Sequence, residues 1–412
     1  MFQHITTEIH NNEIIFFGRQ ENKKSIAVRI QNYKPHRIIK CSAPLAAVSA
    51  VLKTAVNEHY IWRKNTIHGQ SLDIDSFHDL IQVKEVEGRS ITSADNEETF
   101  FKAIAKDIDA FTCLEQVLRK PYEYIYNVIN GSYISRKKSL TLWMEQFDKV
   151  SLVTQYCVAE NIQTCTTMEA TGIDAQEKVT TCNREVIGTV VNSTSIVSIP
   201  LHSITYDIET LFDIREKDSY KQPIITIGAI CNGKQHAWIL HPEKEQIIKL
   251  AATEGAFHGE NTFVHNFHDE LSMLTHFFQF VIDEDADIIQ GHNVECFDHP
   301  YIIKRYEMLS GEYPCWGRIK VLRTTLCEAY CSTTLKIPIH GRVTVDSCSI
   351  LRREVKSNSY KLDDLGEEFL HESKIHLPYT DIQKHYQTTY LHSIFVLSVF
   401  QSDGVLGSIY LD

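Results

Sequence analysis

The chain has 412 residues, 43% of them hydrophobic, enough for two or three separate cores. No apolar run reaches the length of a membrane span, and the opening MFQHITTEIHNNEIIFFG has no basic stretch ahead of an apolar one, so neither a transmembrane helix nor a secretory signal is expected. A net charge of −12 argues against gripping duplex nucleic acid by bulk charge, and eleven cysteines without a paired CxxC framework point to reduced thiols in the nucleus or cytoplasm, with no zinc site.

Residues 13–39 alternate as strands, with a polar turn over 19–24. Residues 97–119 place apolar side chains at helical spacing and predict a helix. Residues 176–200, rich in Thr, Val, Ser and Asn, lead to Pro200 and a boundary near 199–203. A β-rich α+β unit is therefore expected over 1–200 and an α/β unit over 201–412.

Past that boundary, ITYDIET reads as a short buried strand, and PIITIGAICNGKQHAWIL as two strands joined at Asn232-Gly233, a strong hairpin signal. Phe267, Leu271, Leu274, Phe278, Val281 and Ile282 share one helical face. DADIIQGHN is a strand, Asp298-His299-Pro300 starts a helix, GRVTVDSCSIL is a strand, and residues 359–370 form an amphipathic helix. The order fits a ribonuclease-H-like α/β fold with a mixed five-stranded sheet and flanking helices.

Asp207 and Glu209 lie two apart on the first of these strands and so share a face. Two carboxylates on an otherwise apolar strand are costly unless neutralised, and divalent metal, which takes oxygen ligands, is a natural partner. Alternatively Glu209 lies past the strand end and is simply solvated. In GHNVECFDHPYIIKR, Asn293 and Asp298 flank a strand-to-helix turn with Phe297 between them. Asp298 can project into a cleft at the sheet's end, or it is only a helix cap. His265, His268, His276, His292 and His299 cluster nearby in sequence, but their positions point in different directions and hard oxygen donors are already present.

YDIET and, further on, GHNVECFDHPYIIKR resemble the first two exonuclease motifs of family B DNA polymerases. GRVTVDSCSILRREVKSNSYKLDDLGEEFL and LPYTDIQKHY are similar to the downstream segment of delta-like and large-DNA-virus members. The resemblance is collinear but weaker over the first 200 residues. It implies a 3′→5′ proofreading exonuclease working in DNA replication by two-metal hydrolysis. Two Mg²⁺ ions, replaceable by Mn²⁺, would be held by Asp207, Glu209, Asp298 and an acid of a third motif, Tyr-x-x-x-Asp. Asn293 would order the site, while Phe297 and Phe212 would stack on unpaired bases. The implied partners are DNA with a single-stranded 3′ end or a primer-template, the polymerising half, and a processivity factor.

The third motif departs from the pattern. SVFQSDGVLGSIYLD offers Asp403 as the acid, with Val399 where tyrosine is expected. An exonuclease-like module that binds DNA without cutting it is therefore the competing expectation. No YGDTDS-like or SLYPS-like segment occurs, so the chain is expected to stop before the palm and to lack polymerase activity by itself.

Overall fold

Alternation of apolar residues around a polar turn builds the first hairpins. In the computed structural model, which describes residues 1–41, 43–67, 79–89, 97–119, 122–130, 133–142, 145–146, 150–195, 197–211, 219–240, 262–326 and 337–371, strands β1 (Phe2–His10), β2 (Glu13–Gln20) and β3 (Ser25–Ile30) run antiparallel. Then come β4 (His36–Lys40), α1 (Leu45–Ile67), β5 (Ile81–Arg89), β6 (Glu97–Ala105) and α2 (Ile108–Val117). The helix expected over 97–119 is thus a strand followed by a helix. Phe101, Ala103 and Ala105 are buried at a two-residue period. Asp107 then caps α2, its carboxylate accepting from Ala110 N at 2.8 Å, so helical spacing holds only beyond it.

β7 (Tyr122–Asn130) and β8 (Tyr133–Leu142) pair with each other, and β9 (Glu145–Gln146) completes a sheet of order β5-β6-β4-β9. After α3 (Leu152–Ala159), β10 (Thr167–Asp174) and β11 (Arg184–Asn192) close a barrel of order β1-β10-β11-β3-β2. Phe16, Val28, Leu52, Phe111 and Met168 belong to its core.

The second core is built on β12 (Ser203–Thr210), β13 (Ile224–Cys231), β14 (Lys234–Leu240), β15 (Thr262–Phe267), α4 (Glu270–Asp283), β16 (Ile288–Gly291), α5 (Asp298–Ser310), β17 (Val343–Asp346), α6 (Ser347–Glu354) and α7 (Leu362–Leu370). Asn232 and Gly233 turn the β13–β14 hairpin with φ of 52° and 71°, the left-handed pair that such a turn requires. The sheet has six strands in the order β15-β14-β13-β12-β16-β17, not the five expected. The extra strand is β15, whose last residue, Phe267, shares the apolar spacing of the next helix without belonging to it. That helix starts at Glu270 because Asp269 caps it, accepting from Ser272 N at 2.8 Å. The strand expected over 341–351 likewise ends at Asp346, where α6 begins.

β12 pairs antiparallel with β13 and parallel with β16, and β16 pairs parallel with β17. The carboxyl ends of β12, β16 and β17 therefore open on one edge of the sheet, where ligands of open α/β sheets bind.

The barrel meets this sheet across a charged seam. Arg19 of β2 and Arg318 both bind the fully buried Asp287, with Arg19 Nη2 and Arg318 Nη2 at 2.9 and 2.6 Å from Oδ1. Ile319 packs beside it with Ile15, Phe17, Ala27 and Cys182. Among the described residues, no helix is long and apolar enough to cross a membrane, and the nine cysteines are free.

Candidate active site

β12 sits inside the sheet with Tyr206 and Ile208 in the core, so Asp207 and Glu209 point to the opposite face, half-buried. Both lie within the strand, which ends at Thr210, so Glu209 is not past the strand end. The pairing with β13 shifts register between Glu209 and Thr210, an irregularity of the kind that re-aims side chains beside active sites.

Asp298 is 2% exposed. It does not cap its helix: the N-cap position is Phe297, with no side-chain cap hydrogen bond. Its carboxylate instead reaches β12 and accepts from Ile208 N at 3.0 Å, between Asp207 and Glu209. Burial, together with the charge of Asp207 and a hydrogen bond to it, pushes the Asp298 carboxyl well above the usual carboxylate range. Two acids from distant segments thus meet, and the charge of Asp207 disfavours ionisation of Asp298.

The start of α5 is anchored from below. Tyr206 Oη lies 2.6 Å from His299 Nδ1, and the two rings stack at 12°. Burial lowers the His299 pKa to about 3, so the ring stays neutral at ordinary pH. Gly291 ends β16 against β12: a Cβ there would stand 2.7 Å from Tyr206 O, so only glycine permits this approach. Asn293 comes two residues later in the left-handed region at φ 61°, with its side chain exposed. Phe297 is 42% exposed and lies 5.5 Å from the Tyr301 ring, leaving a free aromatic face at the rim.

One residue of the site is not among the site residues expected from the sequence, although it lies in the GRVTVDSCSIL segment. Asp346, at the end of β17, accepts four backbone N–H groups: Oδ1 takes those of Asn293, Cys348 and Ser349 at 3.0, 2.9 and 3.2 Å, and Oδ2 that of Glu295 at 3.1 Å. It caps α6 and ties down the loop that carries Asn293 and Phe297. An aspartate that ends an apolar run just before Ser347 is a helix-start signal, but the strand pattern over 341–351 conceals it.

The histidines do other work. His292 spans Ser347 Oγ and Tyr360 O, each at 3.0 Å. His265 stacks on His236 and Trp238. Phe212 and Asp403 lie outside the described residues. The structure therefore sets Asp298 against Asp207, with Glu209 two residues further along the same strand face and Asn293 and Phe297 on the loop that leads into Asp298. The paired carboxylates of Asp207 and Asp298 at the sheet edge are oxygen donors of the kind a hard divalent cation takes.

A mixed sheet of this order with acids at its carboxyl edge defines a ribonuclease-H-like α/β domain. The family model for the exonuclease domain of DNA polymerase family B matches residues 144–365, and the chain belongs to that family. It is 27% identical over 202 residues to the DNA polymerase delta catalytic subunit of Candida albicans, covering 45% of this chain and 18% of that protein. It is 34% identical over 135 residues to the delta catalytic subunit of Schizosaccharomyces pombe, covering 30% and 12%. With the DNA polymerase catalytic subunit of Saimiriine herpesvirus 2 it shares 28% over 155 residues, 36% of this chain and 15% of the viral protein. These matches span less than a fifth of the curated relatives' length. The family B DNA polymerase of the hyperthermophilic archaeon Pyrobaculum calidifontis has the same fold over 98% of this chain and 44% of its own, with a TM-score of 0.63 at 16% identity.

Proposed function

We propose that the chain is the 3′→5′ proofreading exonuclease portion of a family B DNA-directed DNA polymerase, removing nucleotides from DNA 3′ ends during replication. The observation that carries this reading is the buried Asp298 carboxyl pressed against Asp207 on the neighbouring strand. In this proposal residues 1–200 form a β-rich N-terminal domain and residues from 201 onward the exonuclease domain.

Asp207, Glu209, Asp298 and Asp403 would hold two divalent ions, with Mg²⁺ the expected species and Mn²⁺ a substitute. When bound, such ions lower the pKa of an attacking water and stabilise the leaving 3′ oxygen. Glu209, half-buried beside the bulge, would orient that water. Ile208 N–H holds the Asp298 carboxylate in place, and Asp346 holds the loop that presents Asn293 and Phe297. The exposed Phe297 face, with Phe212, would stack on unpaired bases, favouring a frayed or mismatched terminus.

The competing proposal is a module that binds DNA without cutting it, and Val399 in place of the third-motif tyrosine favours it. Incubation of the full chain with 5′-labelled single-stranded DNA and Mg²⁺ separates the two. Stepwise shortening from the 3′ end, lost in Asp207→Ala, is the result expected for an exonuclease. Binding without shortening would establish the second reading. Asp403→Ala then tests whether the irregular third motif takes part.

A further inference from the structure

A second set of metal donors lies at the far end of β12 from the acids. His202 Nε2 is 3.1 Å from Cys231 Sγ, the Cys231 thiol donates to Glu284 Oε2 at 3.4 Å, and His202 Nε2 is 3.9 Å from Glu284 Oε2. These ligand atoms all fall within 4.8 Å of one another. We propose that His202, Cys231 and Glu284 form a separate site for a borderline-soft divalent ion of the zinc type, with three protein ligands and an open fourth position.

Three observations support it. The first is donor chemistry: one thiolate, one imidazole and one carboxylate are the ligand types that zinc combines, whereas Mg²⁺ is served by oxygen alone. The second is spacing. Around a tetrahedral zinc with donors ~2.0–2.3 Å from the ion, the donors stand roughly 3.3–3.6 Å apart, and the three separations here bracket that range. The third is fixation of each backbone. His202 N donates to Asp287 Oδ2 at 2.8 Å, and His202 O accepts from Asp287 N and Ile288 N at 2.7 and 3.1 Å. Cys231 closes the β13 ladder opposite Ile204. Glu284 caps α4, its N donating to Phe280 O at 2.9 Å. The site is thus preassembled from three elements that packing already holds.

Cys231 is buried while the Glu284 side chain is 36% exposed, so the open side faces solvent and leaves a fourth position for water. On binding, the ion replaces the thiol proton, which leaves to solvent. The bound ion would clamp the start of β12 to the end of β13 and the C-terminus of α4, and so stiffen the strand whose other end bears Asp207 and Glu209.

The test uses the metal-free full chain carrying Asp207→Asn and Asp298→Asn, so that the acidic edge does not compete. Titration with Co²⁺ should give a thiolate-to-cobalt charge-transfer band and tetrahedral visible bands that saturate at one equivalent, and Zn²⁺ should displace them. Cys231→Ser should remove the charge-transfer band. His202→Gln and Glu284→Gln, which keep the thiol, should weaken Zn²⁺ binding by at least about a hundredfold, beyond the ~10–100-fold typical of losing an outer-shell partner. No thiolate band, or a band of full strength in Cys231→Ser, would overturn the proposal. If Cys231→Ser does not fold, unchanged affinity in both glutamine variants would overturn it instead.

Discussion

Two buried aspartates stand at opposite ends of the same segment of sheet, and they are neutralised differently. Asp287 enters β16 at the seam with the barrel, where Arg19 and Arg318 supply positive charge and the His202 N–H adds a hydrogen bond. Although burial raises its pKa, these partners outweigh it and hold the carboxyl below the usual range. Asp298 lies beyond the other end of β16, equally buried, and the charge that chiefly acts on it is the like charge of Asp207. The protein builds guanidinium partners into one site and crowds carboxylates in the other. The two ends of one strand are thus held differently: the acid paired with guanidinium groups joins two cores, and the acid set against another carboxylate lies at the candidate active site.

The largest expected effect comes from breaking the end where carboxylates meet. Asp298→Asn should lower the rate of 3′-end shortening by at least about a thousandfold, since a bound metal supplies several kcal/mol of charge stabilisation. A variant with more than a tenth of wild-type activity would contradict the role proposed for this residue. At the guanidinium end, Arg318→Ala leaves Asp287 buried with one partner fewer and should cost about 3–5 kcal/mol of stability by chemical denaturation. Its effect on cleavage should be small wherever the variant is still folded. A loss under about 1 kcal/mol would show that the seam does not hold the two cores together.

A smaller effect is expected at Asp346. Asp346→Ala removes acceptors from the loop N–H groups of Asn293 and Glu295, so the loop should loosen and cleavage should fall by roughly 10–100-fold, as for other outer-shell partners. Unchanged kcat/KM would leave Asp346 as a helix cap alone.

The two acids also respond oppositely to pH. Asp287, held below the usual range, contributes stability present above the ordinary carboxylate pKa and lost as pH falls through its folded value. Asp298 in metal-free protein, held above the usual range, contributes stability present below that ordinary pKa and lost as pH rises toward its folded value. Melting in chelator should therefore show Asp298→Asn gaining on the wild type as pH increases past the carboxylate range. Parallel melting curves at all pH values would count against a raised Asp298 carboxyl.

How much of the fold and site is legible in the sequence depends on how local each signal is. Asp207 and Glu209 are two apart on one strand, and Asn293 to Asp298 occupy one turn, so both groups can be found by eye. The Asn232-Gly233 hairpin is equally plain, because left-handed turn chemistry belongs to two residues. β15 and β6 escape notice where a short strand runs into a capped helix: Asp269 and Asp107, not the hydrophobic spacing, decide where those helices begin. Asp346 is hidden the same way. The His202, Cys231 and Glu284 cluster and the Arg19–Asp287 pair cannot be read at all, because only tertiary folding brings their partners together.

The central claim is that Asp207 and Asp298 form a place for a divalent cation, and thermal unfolding with and without Mg²⁺ tests it most directly. Mg²⁺ should raise the midpoint of the wild type and leave Asp298→Asn unmoved, while in chelator the Asn variant should melt above the wild type at neutral pH. Equal Mg²⁺ shifts in both proteins, or a less stable Asn variant in chelator, would contradict it.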